Sequence, residues 1–245
     1  MLGIFLPEAF NRLRRWNLGF MAAAFDRWGH GRRILEMLGS MRVLQETTPM
    51  RVQTMRGPSP RERVYLNGYW QTADHFLAVR EELQRMIQPS APMSPGAQEW
   101  KSRIARRQTG FIHVRRGDYC SLVGETGLLP LEYYKRAVEN FKGSGWHWLV
   151  FSEDEEWARR NIGFLPSWDL VSYQSENRDI EDLLLMASCS AGIIANSSYS
   201  WWGAALGERP ERLIIAPDRY WNRESSGVGE WILSGWRTID GWPRS

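Results

Sequence analysis

From residue 101 onward, two kinds of segment alternate along the chain. Short apolar runs predict strands at residues 110–114, 146–151, 169–172, 191–195 and 212–216. Amphipathic stretches predict helices at residues 131–141, 153–161, 179–188 and 199–206. Strands that alternate with helices of this length form βαβ units around a parallel sheet. The pattern therefore predicts an α/β fold for this part of the chain.

The first hundred residues show a different pattern, which we interpret as mostly helical. Residues 8–55 carry apolar positions in helical groupings without a strong strand signal. Residues 74–87 predict an amphipathic helix that Asp74 caps. Its apolar face is predicted to carry Phe76, Val79, Leu83 and Met86. A stretch rich in proline and serine at residues 88–96 predicts a loop or linker.

Polar residues directly follow three of the predicted strands. His113 to Tyr119 end the first strand, Ser152 to Asp154 follow the second, and Asn196 to Ser198 lead into the last predicted helix. In an open parallel sheet, ligands bind at the carboxyl ends of the strands. We therefore expect these three clusters to share one rim of the sheet.

The residue types in these clusters favour an anionic ligand. Arg115 and Arg116 carry guanidinium groups, which bind phosphate oxygens in pairs and keep their charge when desolvated. An Asn-Ser-Ser run at a helix start offers hydroxyls and free backbone N–H groups to an anion. Asp154 is suited to accept hydrogen bonds from a base or a ribose. A nucleoside diphosphate satisfies all three clusters.

Each cluster taken alone has a more ordinary interpretation. Adjacent arginines are more often solvated, Asn-Ser-Ser is more often a helix cap, and Asp154 is more often an acid at a helix start. The predicted placement of all three on one rim favours a shared ligand.

The sequence predicts a site without a metal ion. It contains no D-x-D pair to hold a divalent cation, and its four histidines and two cysteines lack the spacing of metal ligands. It also lacks the glycine-rich motifs of P-loop and classical dinucleotide-binding proteins. In their absence, the arginine pair would carry the electrostatic role of a metal.

Composition and charge narrow the class of protein. The 14 tryptophans offer flat surfaces for sugars or bases, although tryptophan also fills ordinary cores. Two cysteines cannot form a disulfide framework, which indicates a reducing compartment.

The net charge is +8 over residues 1–107 and −5 over residues 108–245, so the basic half suits an anionic partner. With no spanning segment or signal peptide in the pattern, we expect a cytoplasmic protein whose basic half allows peripheral membrane contact.

At these motifs the sequence resembles the alpha-1,2-fucosyltransferase family, glycosyltransferase family 11. Residues 113–119 match its H-x-R-R-G-D-Y hallmark, and residues 182–206 resemble its second, longer hallmark. Residues 65–71, 151–157 and 215–221 also fit. The family usually opens with a strand and a glycine-rich loop, and nothing like that pair precedes residue 65. We therefore expect an incomplete N-terminal half.

The resemblance implies a GT-B-like α/β fold with two Rossmann-type domains. Residues 1–100 would form the acceptor-side domain, and residues 101–245 the domain that binds the nucleotide sugar. The implied reaction moves L-fucose from GDP-fucose to the 2-hydroxyl of a galactoside, with inversion and without a metal or cofactor. The implied partners are GDP-fucose and a galactoside-containing glycan, lipid-linked acceptors included, and no nucleic acid.

The resemblance also assigns roles on the donor side. Arg115 is the first candidate to stabilise the leaving diphosphate, and Arg116 is the second. His113 and Asp154 would contact the guanosine. The phosphates would be lined by Asn196, Ser197 and Ser198.

The general base and the acceptor contacts remain open at this point. Asp118 and Glu125 are both candidates for the base, and each is equally well explained as a structural carboxylate. Tyr69 and Trp70 are candidates for contact with the acceptor sugar.

Two other classes of protein compete with the enzyme. An inactive remnant that binds a nucleotide sugar or a glycan would also explain the missing glycine loop. A basic nucleic-acid binder would show steep salt dependence. We consider the nucleic-acid binder the weaker alternative, because the arginine pair lies in the half of the chain that is net acidic.

Overall fold

The computed structural model describes residues 41–45, 63–67, 73–87, 92–121, 127–141, 143, 145–207, 209–220 and 231–242. Two short strands, β1 (Met41–Gln45) and β2 (Arg63–Asn67), pair in parallel in the N-terminal part. They are followed by helix α1 (Ala73–Met86) and helix α2 (Pro95–Arg106).

The remaining described strands form one six-stranded parallel sheet. They are β3 (Thr109–Val114), β4 (His147–Ser152), β5 (Trp168–Leu170), β6 (Ala191–Ile193), β7 (Leu213–Pro217) and β8 (Arg237–Ile239). Their order across the sheet is β5-β4-β3-β6-β7-β8. This is the strand order of a Rossmann fold, in which the chain winds outward in opposite directions from the two central strands. The predicted α/β class is confirmed.

Helices cover both faces of this sheet. They include α3 (Leu131–Val138), α4 (Glu155–Asn161), α5 (Arg178–Ser188) and α6 (Ser198–Leu206), and two 3-10 turns lie at Gly117–Cys120 and Glu139–Phe141. Side chains of β3 alternate between the faces, because successive strand residues point in opposite directions. Phe111 packs with residues of α1, α2, α5 and α6, whereas Ile112 packs with residues of α3 and α4.

The Phe111 side chain of one central strand lies directly against the backbone of the other central strand. Gly192 of β6 pairs with Phe111 of β3, and the Phe111 ring occupies the space that a side chain at position 192 would need. Glycine at this position lets the aromatic ring lie against the sheet in the core.

Helix α1 confirms the helix predicted at residues 74–87, but the predicted apolar face is wrong in part. Phe76 and Ile87 are buried, and Phe76 packs edge-on against Trp201 and Trp202. Val79 and Met86 are about half exposed, at 48% and 50%. At roughly 100° per residue, these two lie about 50–70° to one side of the mean direction of Phe76 and Leu83. The predicted cap is also misplaced, since the helix already includes Asp74.

The N-terminal part contains strands that the sequence pattern did not predict. Met41–Gln45 lies inside the segment expected to be helical, and Arg63–Asn67 pairs with it over five residues. Strand formation here depends on a partner about twenty residues away, which local periodicity cannot register.

The predicted linker is also shorter than expected. Pro95 and Gly96 already belong to α2, whose N-cap Ser94 accepts a hydrogen bond from the Ala97 N–H. Proline is favoured in the first turn of a helix, so this proline begins an element. Residues 100 and 101 both lie inside α2, and the domain division placed there stays a prediction.

Candidate functional site

The structure brings the three polar clusters together at the carboxyl ends of β3, β4 and β6. Arg116, after β3, donates from Nε to Asp154 Oδ2, after β4, over 3.0 Å. The Tyr119 hydroxyl donates to the Asn196 carbonyl, after β6, over 3.2 Å. The strands β3 and β6 are the neighbours from which the chain winds in opposite directions, and such a switch point forms a crevice for ligands.

Arg115 is held between two carboxylates. Its Nη2 donates to Asp118 Oδ1 over 2.6 Å, and its Nη1 lies 3.2 Å from Glu153 Oε1. The guanidinium carbon also lies 5.2 Å from the centroid of the Tyr119 ring. Its Nε is buried and has no hydrogen-bond partner among the described residues. A guanidinium carries two N–H groups on each terminal nitrogen, so Nη1 and Nη2 each keep one donor for a further anion beyond the contacts with Asp118 and Glu153.

Arg116 is held by a different set of groups. Its backbone N–H donates to Glu153 Oε1 over 3.0 Å, and its guanidinium carbon lies 4.3 Å from the centroid of the Trp157 ring. The ion pair with Asp154 completes this environment. The Arg116 side chain is only 21% exposed, so its charge is partly removed from solvent.

Asp154 has the ordinary role of a helix cap and also pairs with Arg116, and its contact with a guanosine stays a prediction. It is the N-cap of α4, where Oδ1 accepts the Trp157 backbone N–H over 3.0 Å. That hydrogen bond, followed by the one from Arg116, lowers the pKa of the carboxyl below its ordinary value. Asp154 is therefore a fixed anion that links the start of α4 to the arginine pair.

His113 lies at the floor of the rim, on β3. It is 3% exposed, and its Nδ1 has no hydrogen-bond partner among the described residues. Burial, together with the nearby positive charge of Arg115, lowers its pKa to about 3. The ring lies 5.4 Å from the Tyr199 ring. His113 is consequently a neutral imidazole at physiological pH.

The Asn-Ser-Ser run is mostly buried. The Asn196 amide donates to the carbonyls of Gly127 and Tyr220, each over 3.1 Å, and Ser197 is only 4% exposed. Ser198 is exposed, and its backbone N–H donates to the Tyr220 hydroxyl over 3.2 Å. The Asn196 side chain thus fixes neighbouring loops, and its contact with a phosphate stays a prediction.

Three of the predicted site residues cannot be placed. Glu125, Tyr69 and Trp70 lie outside the described residues.

Several described residues of the rim were given no role by the sequence reasoning, Tyr119 among them. Three more are Glu153, which contacts Arg115 and Arg116, Trp157, which contacts Arg116, and Tyr220, which contacts the start of α6. One signal was available, because Asp154 and Trp157 are three residues apart at a helix start and therefore share a face. The contacts of Glu153 and Tyr220 join separate loops and left no local signal.

Among the described residues of the rim, the carboxylates outnumber the guanidinium groups by one. Two guanidinium groups face the carboxylates of Asp118, Glu153 and Asp154. These carboxylates orient the arginines and leave some of their donors unused. Within the described ranges, no three histidine, cysteine, aspartate or glutamate side chains cluster as metal ligands would. The arrangement can bind an anion through preorganised arginines.

The cysteines and the helices of the described part of the chain were also compared with the sequence-based expectations, and the expected compartment stays a prediction. Cys120 is exposed, Cys189 is buried, and both are free thiols. None of the described helices combines the length and the apolar character needed to cross a bilayer.

Comparisons with known proteins identify the family. The profile of Glycosyl transferase family 11 matches residues 50–239. The Escherichia coli O-antigen biosynthesis glycosyltransferase WbnK is 32% identical over 133 residues, covering 51% of this chain and 44% of that protein. An Escherichia coli alpha-1,2-colitosyltransferase is 33% identical over 164 residues, covering 64% of this chain and 56% of that protein. The chain thus spans about half the length of these curated relatives.

Two solved structures show distant similarity. The NodZ alpha-1,6-fucosyltransferase soaked with GDP-fucose aligns with a TM-score of 0.42 and 13% identity, over 67% of this chain and 56% of that one. The Escherichia coli ADP-heptose LPS heptosyltransferase II aligns with a TM-score of 0.37 and 16% identity, over 63% of this chain and 46% of that one. The match of the family profile extends over most of the sequence, including every strand of the large sheet. The chain belongs to glycosyltransferase family 11.

Proposed function

We propose that this family 11 glycosyltransferase moves L-fucose from GDP-fucose to the 2-hydroxyl of a galactoside, with inversion at the anomeric carbon. The observation that carries the proposal is the arginine pair at the carboxyl end of β3. Arg115 and Arg116 lie at the switch point of a Rossmann-type sheet, each oriented by carboxylates, and each terminal nitrogen of Arg115 carries a second N–H beyond the one that faces a described carboxylate. A nucleoside diphosphate is the ligand that this position and this chemistry suit.

Arg115 acts on the leaving group in this proposal. As the bond between the sugar and the diphosphate breaks, negative charge grows on the β-phosphate. A preorganised cation at that point lowers the barrier by several kcal/mol, on the order of 3–4 for a single donor. Arg116 is the second cation, and the exposed start of α6 at Ser198 offers a further position for a phosphate oxygen.

His113 and Asp154 complete the donor side. A neutral His113 can exchange hydrogen bonds with a guanosine without adding charge. Asp154 remains ionised and is suited to accept hydrogen bonds from a base or ribose. Because Asp154 already binds Arg116, nucleoside and diphosphate recognition would be linked through one carboxylate.

The pairing of Asp118 with Arg115 argues against Asp118 as the general base, and Glu125 stays our candidate for that role. Asp118 accepts a hydrogen bond from Arg115 over 2.6 Å, and this pairing suits a carboxylate that orients the arginine. A base must instead be free to reach the acceptor hydroxyl. Tyr69 and Trp70 stay our candidates for contact with the acceptor sugar.

We propose no cofactor and no metal ion for the reaction. The acceptor would be a galactoside-containing glycan, lipid-linked acceptors included. A lipid-linked acceptor would suit a cytoplasmic protein whose basic half, with its net charge of +8 over residues 1–107, touches an anionic membrane face.

A second donor is supported by a specific observation. The relative that is 33% identical over 64% of this chain is named a colitosyltransferase, so a colitose donor competes with the fucose donor. Because the chain spans about half of its curated relatives, a non-catalytic protein that binds a nucleotide sugar is the other alternative.

One experiment separates these possibilities. The full chain is incubated with GDP-fucose or the colitose donor and a lactose-type acceptor, with and without excess EDTA. Product linkage and anomeric configuration are read by NMR, and GDP binding is measured by calorimetry. The proposal expects an alpha-1,2-fucosylated product with or without EDTA. GDP binding without turnover would favour the non-catalytic alternative, and neither binding nor turnover would refute the donor site.

A further inference from the structure

Glu153 contacts both members of the arginine pair through a single oxygen atom. Its Oε1 accepts the Arg116 backbone N–H over 3.0 Å and lies 3.2 Å from Arg115 Nη1. One atom therefore fixes the peptide that joins the two arginines and the guanidinium of the first. Among the described residues, Asp118 is the other carboxylate that contacts Arg115, and it lies three residues further along the same loop.

The position of Glu153 in the chain restricts the movement of its backbone, and therefore also of its contacts with Arg115 and Arg116. Glu153 directly follows β4 and directly precedes Asp154, the N-cap of α4, so its backbone is anchored on both sides. Asp118, by contrast, lies on the 3-10 turn with a side chain that is 59% exposed, whereas the Glu153 side chain is 33% exposed. Of the two carboxylates on Arg115, Glu153 is the one attached to the sheet.

The glycine of the Arg-Arg-Gly-Asp stretch has a corresponding explanation. A Cβ atom at Gly117 would lie 2.7 Å from Glu153 Oε1, closer than two such atoms approach. The missing side chain at position 117 therefore leaves room for the carboxylate beside the arginine backbone. The residue at position 117 must therefore be small for the Glu153 side chain to keep this position, although the two residues are far apart in sequence.

We infer that Glu153 is a positioning residue, which aims Arg115 at the leaving diphosphate and holds the Arg115–Arg116 peptide in place. This inference rests on the proposed function. A guanidinium that is already oriented loses less conformational freedom as charge develops on the phosphate, and it needs no reorganisation at that moment. Glu153 touches neither substrate in this scheme, and it acts entirely through the arginines.

The first test uses Glu153→Gln, which keeps the shape and one acceptor oxygen but removes the charge that holds Arg115. We expect kcat to fall by about tenfold to a hundredfold, while the KM for the donor changes by less than about threefold. The matched control is Glu156→Gln, an exposed carboxylate paired with Arg160 on the outside of α4, which should leave both constants unchanged. In an Arg115→Lys background, Glu153→Gln should have a smaller further effect, because one of the two contacts of Glu153 is already altered.

A second test requires no ligand and no turnover. Hindered rotation of the Arg115 guanidinium is followed by NMR of the arginine side-chain NH groups, assigned with Arg115→Lys. We expect slow rotation in the wild type and faster rotation in Glu153→Gln, where the contacts with Asp118 and Tyr119 remain. Gly117→Ala should have the same effect by displacing the carboxylate, and it serves as the readout if Glu153→Gln does not fold.

The outcomes separate the two proposals. Wild-type turnover together with unchanged rotation in Glu153→Gln, or in Gly117→Ala if Glu153→Gln does not fold, would overturn the positioning role. If the wild type neither binds GDP nor turns over a donor, the proposed function fails. Faster rotation in the variant than in the wild type would then still establish that Glu153 orients Arg115, and unchanged rotation would refute it.

Discussion

The guanidinium carbon of Arg116 lies 4.3 Å from the centroid of the Trp157 ring, and Trp157 belongs to the same helix that Asp154 caps. The first turn of α4 therefore supplies an aromatic face and a carboxylate to one arginine. The residues that begin α4, Asp154 and Trp157, are also the residues that hold the Arg116 side chain. Loosening this turn should affect anion binding as well as helix stability.

Trp157→Leu tests this coupling. Loss of the cation–π contact should reduce stability by about 0.5–2 kcal/mol, in addition to lost burial, and should weaken GDP binding because Arg116 gains freedom. Calorimetry and a urea melt provide the measurements. Trp146→Leu is the control, since Trp146 is also half-buried but precedes β4 at its amino end. That control should lose stability and keep its GDP affinity, and an equal loss of affinity in both variants would contradict the coupling.

Arg115→Lys tests the proposed role of Arg115. A lysine keeps the charge but replaces the planar fork with a point donor. We expect turnover to fall roughly a hundred- to a thousandfold, as for removal of one preorganised donor. Steady-state kinetics give the result, with a thermal melt to confirm folding. A well-folded variant with wild-type turnover would remove Arg115 from the mechanism.

His113 should make the protein sensitive to acid. Its pKa is about 3 in the folded state and 6.5 when exposed, so the unfolded state binds more protons as the pH falls below 6.5. Stability contributed by the neutral form is therefore lost between about pH 6.5 and pH 3, by at most about 1.4 kcal/mol per pH unit. Urea unfolding of the wild type and His113→Gln between pH 7 and about pH 4 measures it. Parallel pH curves for the two proteins would show that His113 does not titrate as described.

Asp182 should change stability with pH in the direction opposite to that of His113. Burial raises its pKa to about 6, above the 3.8 of an exposed aspartate. The folded state therefore takes up a proton before the unfolded state does, and stability is gained as the pH falls from about 6 to 3.8. Asp182→Asn should remove this gain and make the loss of stability in acid steeper than in the wild type. The same urea series decides it, and a shallower curve would be the contrary result.

Gly192→Ala should disturb the centre of the sheet. The Phe111 ring occupies the place of the added methyl group, and overpacking of this kind typically costs about 1–3 kcal/mol. Gly163→Ala is the control, because nothing lies within 4 Å of a Cβ atom at that position. Denaturant melts of both variants provide the comparison. Equal stability of the two would mean that Phe111 can move aside at no cost.

The sequence predicted the parts of the fold that depend on local pattern. The strands at residues 110–114 and 146–151 and the helix at residues 179–188 are found with ends shifted by at most one residue. Strand β8 was missed because it is three residues long and depends on pairing with β7. Phe76 was correctly placed in the core and Val79 was not, because the partner of α1 sets which side is buried.

In the site, too, the sequence predicted what depends on local pattern and missed what depends on distant partners. The end-of-strand rule brought Arg116 and Asp154 together, and the structure joins them by a hydrogen bond. Glu153 was beside them in the sequence, but its contacts with Arg115 and Arg116 require the exact approach of two loops. The buried state of Asn196 was likewise hidden, because its partners lie 69 and 24 residues away.

The Asn196 amide, which holds the carbonyls of Gly127 and Tyr220, has a consequence for how such a protein can evolve. Three chain segments take their position from one buried side chain, so a change at this position is felt by all of them at once. Ser198, two residues later, is exposed and can be exchanged singly. Exposed rim positions of this kind can therefore change one at a time, whereas position 196 can change only together with the segments that it holds.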